Sequence, residues 1–230
     1  MIKLHYNGGR FGNRLLQLSC AVALSHKFKQ NIDNPMNQEI IEIPKYSDNQ
    51  YDVETVATDD NVETIFNTDN SNNNIIVAGF FQKMICIREA IKYNTFRNKG
   101  EQLDHVTFVH VRLDDIERNN LSVPYEYYDK AISSLYNQTV VISSDNPEAE
   151  IVKKLANKYN AHMYSGDAEQ TILMGANCRQ KVLSLGTFSW WMGFLGDIFL
   201  KDKNLVVHPN YNSYTSWHMD IFSEMNWRSI

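Results

Sequence analysis

An α/β protein with two mostly parallel sheets is what the sequence predicts, and three observations predict it. Apolar runs of strand length alternate with segments of helical periodicity along most of the 230 residues. The alternation breaks once, over the polar stretch 96–104 containing Gly100, and then restarts. The groups best suited to chemistry fall where strands end, which in a parallel sheet is the ligand-binding edge. Two such runs imply two Rossmann-like lobes facing a cleft: an N-terminal lobe over 1–100, a second over 101–215, and a tail over 216–230 able to pack on the first.

Ile2–Tyr6 alternates as a strand does, a glycine loop follows, and Arg14–Lys29 sets Leu15, Leu18 and Val22 at helical spacing. Residues 30–74 are rich in Asn and Asp and predict irregular chain with brief elements, such as one near Ile40–Ile43. A buried strand at Ile75–Ala78 leads through Gly79-Phe80-Phe81-Gln82 to a helix near Met84–Tyr93. In the second half, strand Val106–Val111 precedes a polar loop and a helix over Tyr125–Leu135, entered at Pro124. Strands then fall at Thr139–Ile142, Ala161–Tyr164, Lys181–Leu185 and Leu205–His208. Helices fall between them at Pro147–Tyr159, Ala168–Ala176 and Phe188–Leu200.

Composition narrows the function classes. Hydrophobic residues at 43% and charged residues at 21% allow a full core, and a net charge of -5 argues against an electrostatic nucleic-acid binder. Cys20, Cys86 and Cys178 are odd in number, far apart and without metal-ligand spacing, so they are expected as buried thiols in a reducing compartment. The most apolar windows, Leu15–Leu24 and Phe188–Leu200, are respectively too short and too interrupted to span a bilayer.

Four constellations carry chemistry. In Gly8-Gly9-Arg10-Phe11-Gly12-Asn13-Arg14 the glycines allow close approach of backbone to ligand ahead of a helix N-terminus, although a plain strand-to-helix turn reads the same way. In Val109-His110-Val111-Arg112-Leu113-Asp114-Asp115 a strand delivers an imidazole, a guanidinium and two carboxylates to one edge. Arg112 could grip a phosphate through its planar fork, or simply end the strand in an ion pair. In Leu185-Gly186-Thr187-Phe188-Ser189-Trp190-Trp191, Thr187 or Ser189 is expected to cap a helix whose N-terminus would suit an anion. In Ser143-Ser144-Asp145-Asn146-Pro147, Asp145 could begin a helix or bond a base or ribose.

Together and in this order, GGRFGNR at 8–14, HVRLDD at 110–115 and GTFSWW at 186–191 resemble the α1,2-fucosyltransferase family, and GRFGN at 9–13 is similar to the loop of protein O-fucosyltransferases. GFFQK at 79–83, Tyr127-Tyr128, VISSD at 141–145 and the helix from Asp167 to Cys178 add to the likeness. The resemblance implies a GT-B-type arrangement, with 1–100 the acceptor side and 101–215 the nucleotide-sugar donor side, and inverting, metal-independent transfer of L-fucose from GDP-fucose to a glycan hydroxyl, with the α1,2 linkage favoured. It assigns the donor diphosphate to Arg112, a second phosphate contact to Ser189 with Thr187 and Phe188 beside it, and nucleotide contact or support of Arg112 to His110 and Asp145. Gly9 and Arg10 would join the donor site, and Asn13, counted with Arg112 and Asp115 among the catalytic residues, would face the fucose or the acceptor. Asp115 matches the acidic position of the family and is the candidate base, with Asp114 its competitor. Leu113 and Asp114 depart from the family pattern, which has a second Arg and a Gly there, so another nucleotide sugar or an inactive sugar-nucleotide-binding protein are the rival readings. Arg14, in place of the family's Gln, could restore positive charge. No cofactor or metal is expected, and the chain contains no Asp-x-Asp pair. The expected setting is the cytoplasm, for a bacterial or virus-encoded enzyme without an integral membrane segment.

Overall fold

The structure is a computed structural model that describes residues 1–6, 9–47, 51, 53–114, 121–135, 139–210, 221 and 224–230. The chain forms two compact units: residues 1–97 with Ile221 and Glu224, and the described residues of 98–218 with 225–230.

The first unit runs β1 (Ile2–Leu4), α1 (Phe11–Phe28), β2 (Ile32–Asp33), β3 (Glu54–Ala57), α2 (Val62–Asn67), β4 (Asn74–Val77) and α3 (Met84–Lys92). Its four strands are all parallel, in the order β2-β1-β4-β3. Helix α1 is apolar nearly all round, and accordingly Leu15, Leu16, Leu18 and Ala21–Leu24 have no exposed surface. It lies against β1, β2, β4 and α3. Within the stretch expected to be irregular, β2, β3 and α2 are the brief elements; at two, four and six residues they are too short for a periodic signal.

The second unit runs β5 (Leu103–Val111), α4 (Tyr125–Ser133), β6 (Thr139–Ser144), α5 (Glu150–Tyr159), β7 (His162–Met163), α6 (Ala168–Asn177), β8 (Cys178–Val182), α7 (Thr187–Leu200), a 3₁₀ turn at Lys201–Lys203, β9 (Leu205–His208) and β10 (Arg228–Ser229). The six strands are again all parallel, in the order β10-β9-β8-β5-β6-β7. On one face Val109, Val111, Ile142, Val182 and Val207 pack with Tyr128, Ile132, Val152 and Leu155 of α4 and α5. On the other, α6 and α7 press together so closely that a Cβ at Gly175 would stand 2.9 Å from Met192. The two tryptophans of α7 are fully buried, and Trp190 stacks on Phe194 at 4.6 Å between centroids.

Strand β8 ends at Val182, three residues before the end of the apolar run that predicted it. Leu183–Leu185 are buried all the same, and the Leu183 amide still donates to the Val207 carbonyl of β9 at 2.9 Å, so the run marks burial that continues past the end of the strand. Of the tail, Glu224 pairs with Arg88 in the first unit, while Arg228–Ser229 adds β10 to the second sheet beside β9. All three cysteines are buried free thiols, and burial pushes Cys178 up to about 12. No described helix is long and apolar enough to cross a membrane.

Candidate active site

The strand order of the second sheet places its topological switch between β5 and β8. From β5 the chain winds outward through β6 and β7, and from β8 it winds the other way through β9 and β10. A crevice opens at the carboxyl ends of two such strands, and ligands of open α/β sheets occupy it. Two of the sequence motifs end there, HVR on β5 and GTFSWW after β8.

A chain of buried polar contacts joins them. His110, buried near the end of β5, shares a 2.6 Å hydrogen bond between its Nδ1 and Ser189 Oγ. Ser189 Oγ also accepts from the Ser184 amide at 3.1 Å, and Ser184 Oγ accepts from the Tyr128 hydroxyl at 3.0 Å. Tyr127 donates to the carbonyls of Leu183 at 2.7 Å and Val207 at 3.2 Å, tying the same loop to α4. The Phe188 ring lies 5.2 Å from the imidazole. Burial, assisted by the Arg112 guanidinium, pushes His110 down to about 3. At neutral pH it is therefore an uncharged, fixed hydrogen-bonding group, and the positive charge of the edge resides on Arg112.

Arg112 is half-buried just beyond β5, and its Nη1 reaches the Leu185 carbonyl at 3.5 Å, the long limit of a hydrogen bond. The guanidinium thus stands beside the segment that starts α7. A guanidinium next to a helix N-terminus favours a phosphate-like anion on two grounds, charge and dipole. The helix starts at Gly186, whose φ of 99 is open to glycine and strained for other residues. The expected cap by Thr187 or Ser189 is not made. Thr187 is the first helical residue, and Ser189 has turned back to His110, because a buried imidazole nitrogen needs its partner more than a helix amide does.

Asp145 lies exposed after β6, and its Oδ1 accepts from the Leu113 amide at 2.8 Å, which fixes the chain just past Arg112. The Leu113 side chain is 1% exposed and belongs to the core of Tyr127, Tyr128 and Val111. The residue that replaces the family's second cation therefore points into apolar packing. Asp114 is half-buried, and Asp115 lies outside the described residues.

In the first unit the glycine loop connects β1 to α1. Gly9 has a φ of 84, and a Cβ there would come within 2.9 Å of Asn13. Arg10 is exposed at the N-cap of α1, without a side-chain cap bond. Asn13 Oδ1 accepts from Gln82 Nε2 at 3.3 Å, linking this loop to the one after β4. Arg14 lies 5.9 Å from the centre of the Tyr6 ring, a cation–π contact.

Residues 85–229 match the model of glycosyl transferase family 11. The chain belongs to that family. No curated protein gives a significant match to it. A crystal structure of NodZ α-1,6-fucosyltransferase soaked with GDP-fucose is similar in fold, with a TM-score of 0.52 at 12% identity, covering 84% of this chain and 92% of that one.

In this family 11 glycosyltransferase, His110, Arg112, Asp145, Thr187, Phe188 and Ser189 are gathered at the carboxyl edge of one sheet. Gly9, Arg10 and Asn13 stand at the carboxyl end of β1 in the other unit. Sequence reasoning gave no role to Ser184, Tyr127 or Tyr128, which hold the loop carrying the second motif. The one available signal was a serine inside an apolar run and a tyrosine pair at a helix start: buried hydroxyls must find partners.

Proposed function

We propose that this protein is an inverting fucosyltransferase that moves L-fucose from GDP-fucose to a glycan hydroxyl, forming an α1,2 linkage. The observation that carries the reading is the junction of the two family motifs at the β5/β8 switch point, where Arg112 stands beside the start of α7 and His110 and Ser189 are bonded at 2.6 Å. The fold likeness to a fucosyltransferase that was soaked with GDP-fucose supports the donor. That neighbour makes an α-1,6 linkage by its own description, so the α1,2 assignment rests on the family motifs alone.

In this reading Arg112 and the amide end of α7 hold the diphosphate. As the anomeric C–O bond breaks, negative charge gathers on the β-phosphate, and a guanidinium already in position stabilises it without reorganisation. Neutral His110 takes no charge from the donor. Through Ser189 it holds the α7 segment at its distance from β5, and Asp145 does the same for the chain at Leu113. Asp115 removes the acceptor's proton as its oxygen attacks the face opposite the departing GDP, with Asp114 as the second candidate. The residues require no metal ion for this step, since Arg112 supplies the charge a cation would.

Donor binding and hydrolysis across GDP-fucose, GDP-mannose, UDP-sugars and dTDP-sugars, with chelator present, test the reading. Selective use of GDP-fucose is expected. Preference for another nucleotide sugar would transfer the same mechanism to a different donor, and activity abolished by the chelator would overturn metal independence.

A further inference from the structure

The loop after β4 in the first unit has a construction that donor binding does not explain. Phe81 is fully buried and has a φ of 52, in the left-handed region that bulky residues avoid. Such outliers persist only where the surroundings impose them, and they cluster at ligand sites. Here the surroundings are specific. The Asp59 carboxylate, just past β3, accepts from two successive amides with its two oxygens, Phe80 at 2.9 Å and Phe81 at 2.7 Å. Gln17, buried in α1, donates to the Gly79 carbonyl at 2.8 Å. Gly79 has to be glycine, because a Cβ would approach Asp59 Oδ2 to 2.7 Å.

The result of this clamp is that consecutive phenylalanines point apart. Phe81 enters the core, and Phe80 is left 42% exposed. Beside it, Gln82 reaches Asn13 at 3.3 Å, spanning the ends of β4 and β1. Those two strands are the inner pair of the order β2-β1-β4-β3, so Phe80, Gln82 and Asn13 share the ligand-binding edge of this sheet. An exposed apolar ring and a pair of carboxamides on one sheet edge match the chemistry of a pyranose, whose C–H face stacks on an aromatic ring and whose hydroxyls both donate and accept.

We propose that the loop 79–83 is the platform for the acceptor saccharide: Phe80 stacks on a pyranose ring, the Asn13–Gln82 pair bonds its hydroxyls, and Asp59 is the positioning residue that holds the platform in shape. The proposal rests on the transferase reading and extends it to the acceptor side. The test supplies GDP-fucose to a printed array of saccharides, then measures KM and kcat on the best-glycosylated one, with GDP-fucose hydrolysis by the wild type alone as a second readout. Phe80→Ala is expected to raise the acceptor KM by about tenfold, the equivalent of one lost stacking contact, with a smaller change in kcat. Phe80→Trp is expected to restore it. Asp59→Asn, which presents one amide with a donor in place of an acceptor, is expected to shift KM in the same direction. An acceptor KM within twofold of wild type in folded Phe80→Ala overturns the platform and leaves the transferase reading intact. Hydrolysis of GDP-fucose without transfer to any saccharide also overturns the platform, and leaves only the donor assignment standing. Neither hydrolysis nor transfer removes both.

Discussion

At the carboxyl edge of the second sheet the polar groups are buried and bonded to one another, from Tyr128 through Ser184 and Ser189 to His110. At the carboxyl edge of the first sheet the corresponding loop is shaped through its backbone, by Asp59 on two amides and by a residue in a strained conformation, and Phe80 stays exposed. The two constructions suit different ligands. A diphosphate has a fixed shape and a developing charge, so it is best met by a rigid, partly desolvated cation whose neighbours cannot move. A glycan acceptor offers hydroxyls and ring faces in many arrangements, for which an exposed ring and carboxamides on a rigid backbone are adequate.

The sharpest way to break this comparison is at Arg112. Arg112→Ala is expected to lower turnover about a hundred- to a thousand-fold, roughly 3–4 kcal/mol, as for loss of one preorganised charge-stabilising donor. Near-normal activity in a folded variant would remove the phosphate role. Ser189→Ala comes next. It leaves the buried Ser184 amide and His110 without a shared partner, so urea unfolding should report a loss of about 1–3 kcal/mol. A stability within 0.5 kcal/mol of wild type, on the scale of roughly neutral surface changes, would mean that the polar chain is replaceable by water. For the first sheet, Gly79→Ala should cost about 1–3 kcal/mol by forcing Asp59 off its amides. An unchanged unfolding midpoint would show that the clamp yields at no cost.

The last expected effect is on pH dependence, and it sharpens the second unit's side of the contrast. Lys181, on β8, is completely buried and bonded to Asn204, and burial lowers it to about 7 from an ordinary 10.5. Between those values the unfolded chain holds a proton that the native protein lacks, so stability rises with pH across that window. Cys178, pushed up to about 12, acts with the opposite sign only above the ordinary thiol value of 9. Urea midpoints at pH 7 and pH 9 therefore isolate the lysine: the wild type should gain stability, and Lys181→Met should lose that slope. His110 contributes below this range. Its native value of about 3 against an ordinary 6.5 means that stability falls as pH drops from about 6.5 towards 3.

Most of the architecture was legible along the chain. Helix α1 declared itself through Leu15, Leu18 and Val22, and β5 through its unbroken apolar run, because buried elements of regular period leave a periodic trace. The brief β3 and α2 left none, and β10 at Arg228–Ser229, with both residues exposed, offers no apolar pattern to find. The candidate site divides the same way. Arg112, His110 and Ser189 were recognisable by residue type and motif order, and Gly9 and Gly186 by their place between strand and helix.

What the chain could not disclose is which of these groups meet. Ser189 reads as a helix cap and is a partner of His110 across 79 residues of sequence. Leu113 reads as a missing phosphate ligand and is a core residue. Periodicity and residue chemistry are local properties, so the α/β class, the family and the polar residues at the strand ends could be read along the chain. It took the folded arrangement to make β5 and β8 neighbours, to leave His110 neutral and to set Asp59 as the clamp of a loop 21 residues away. Strand order, desolvation and hydrogen-bond partners depend on contacts between distant segments, and no local pattern encodes them.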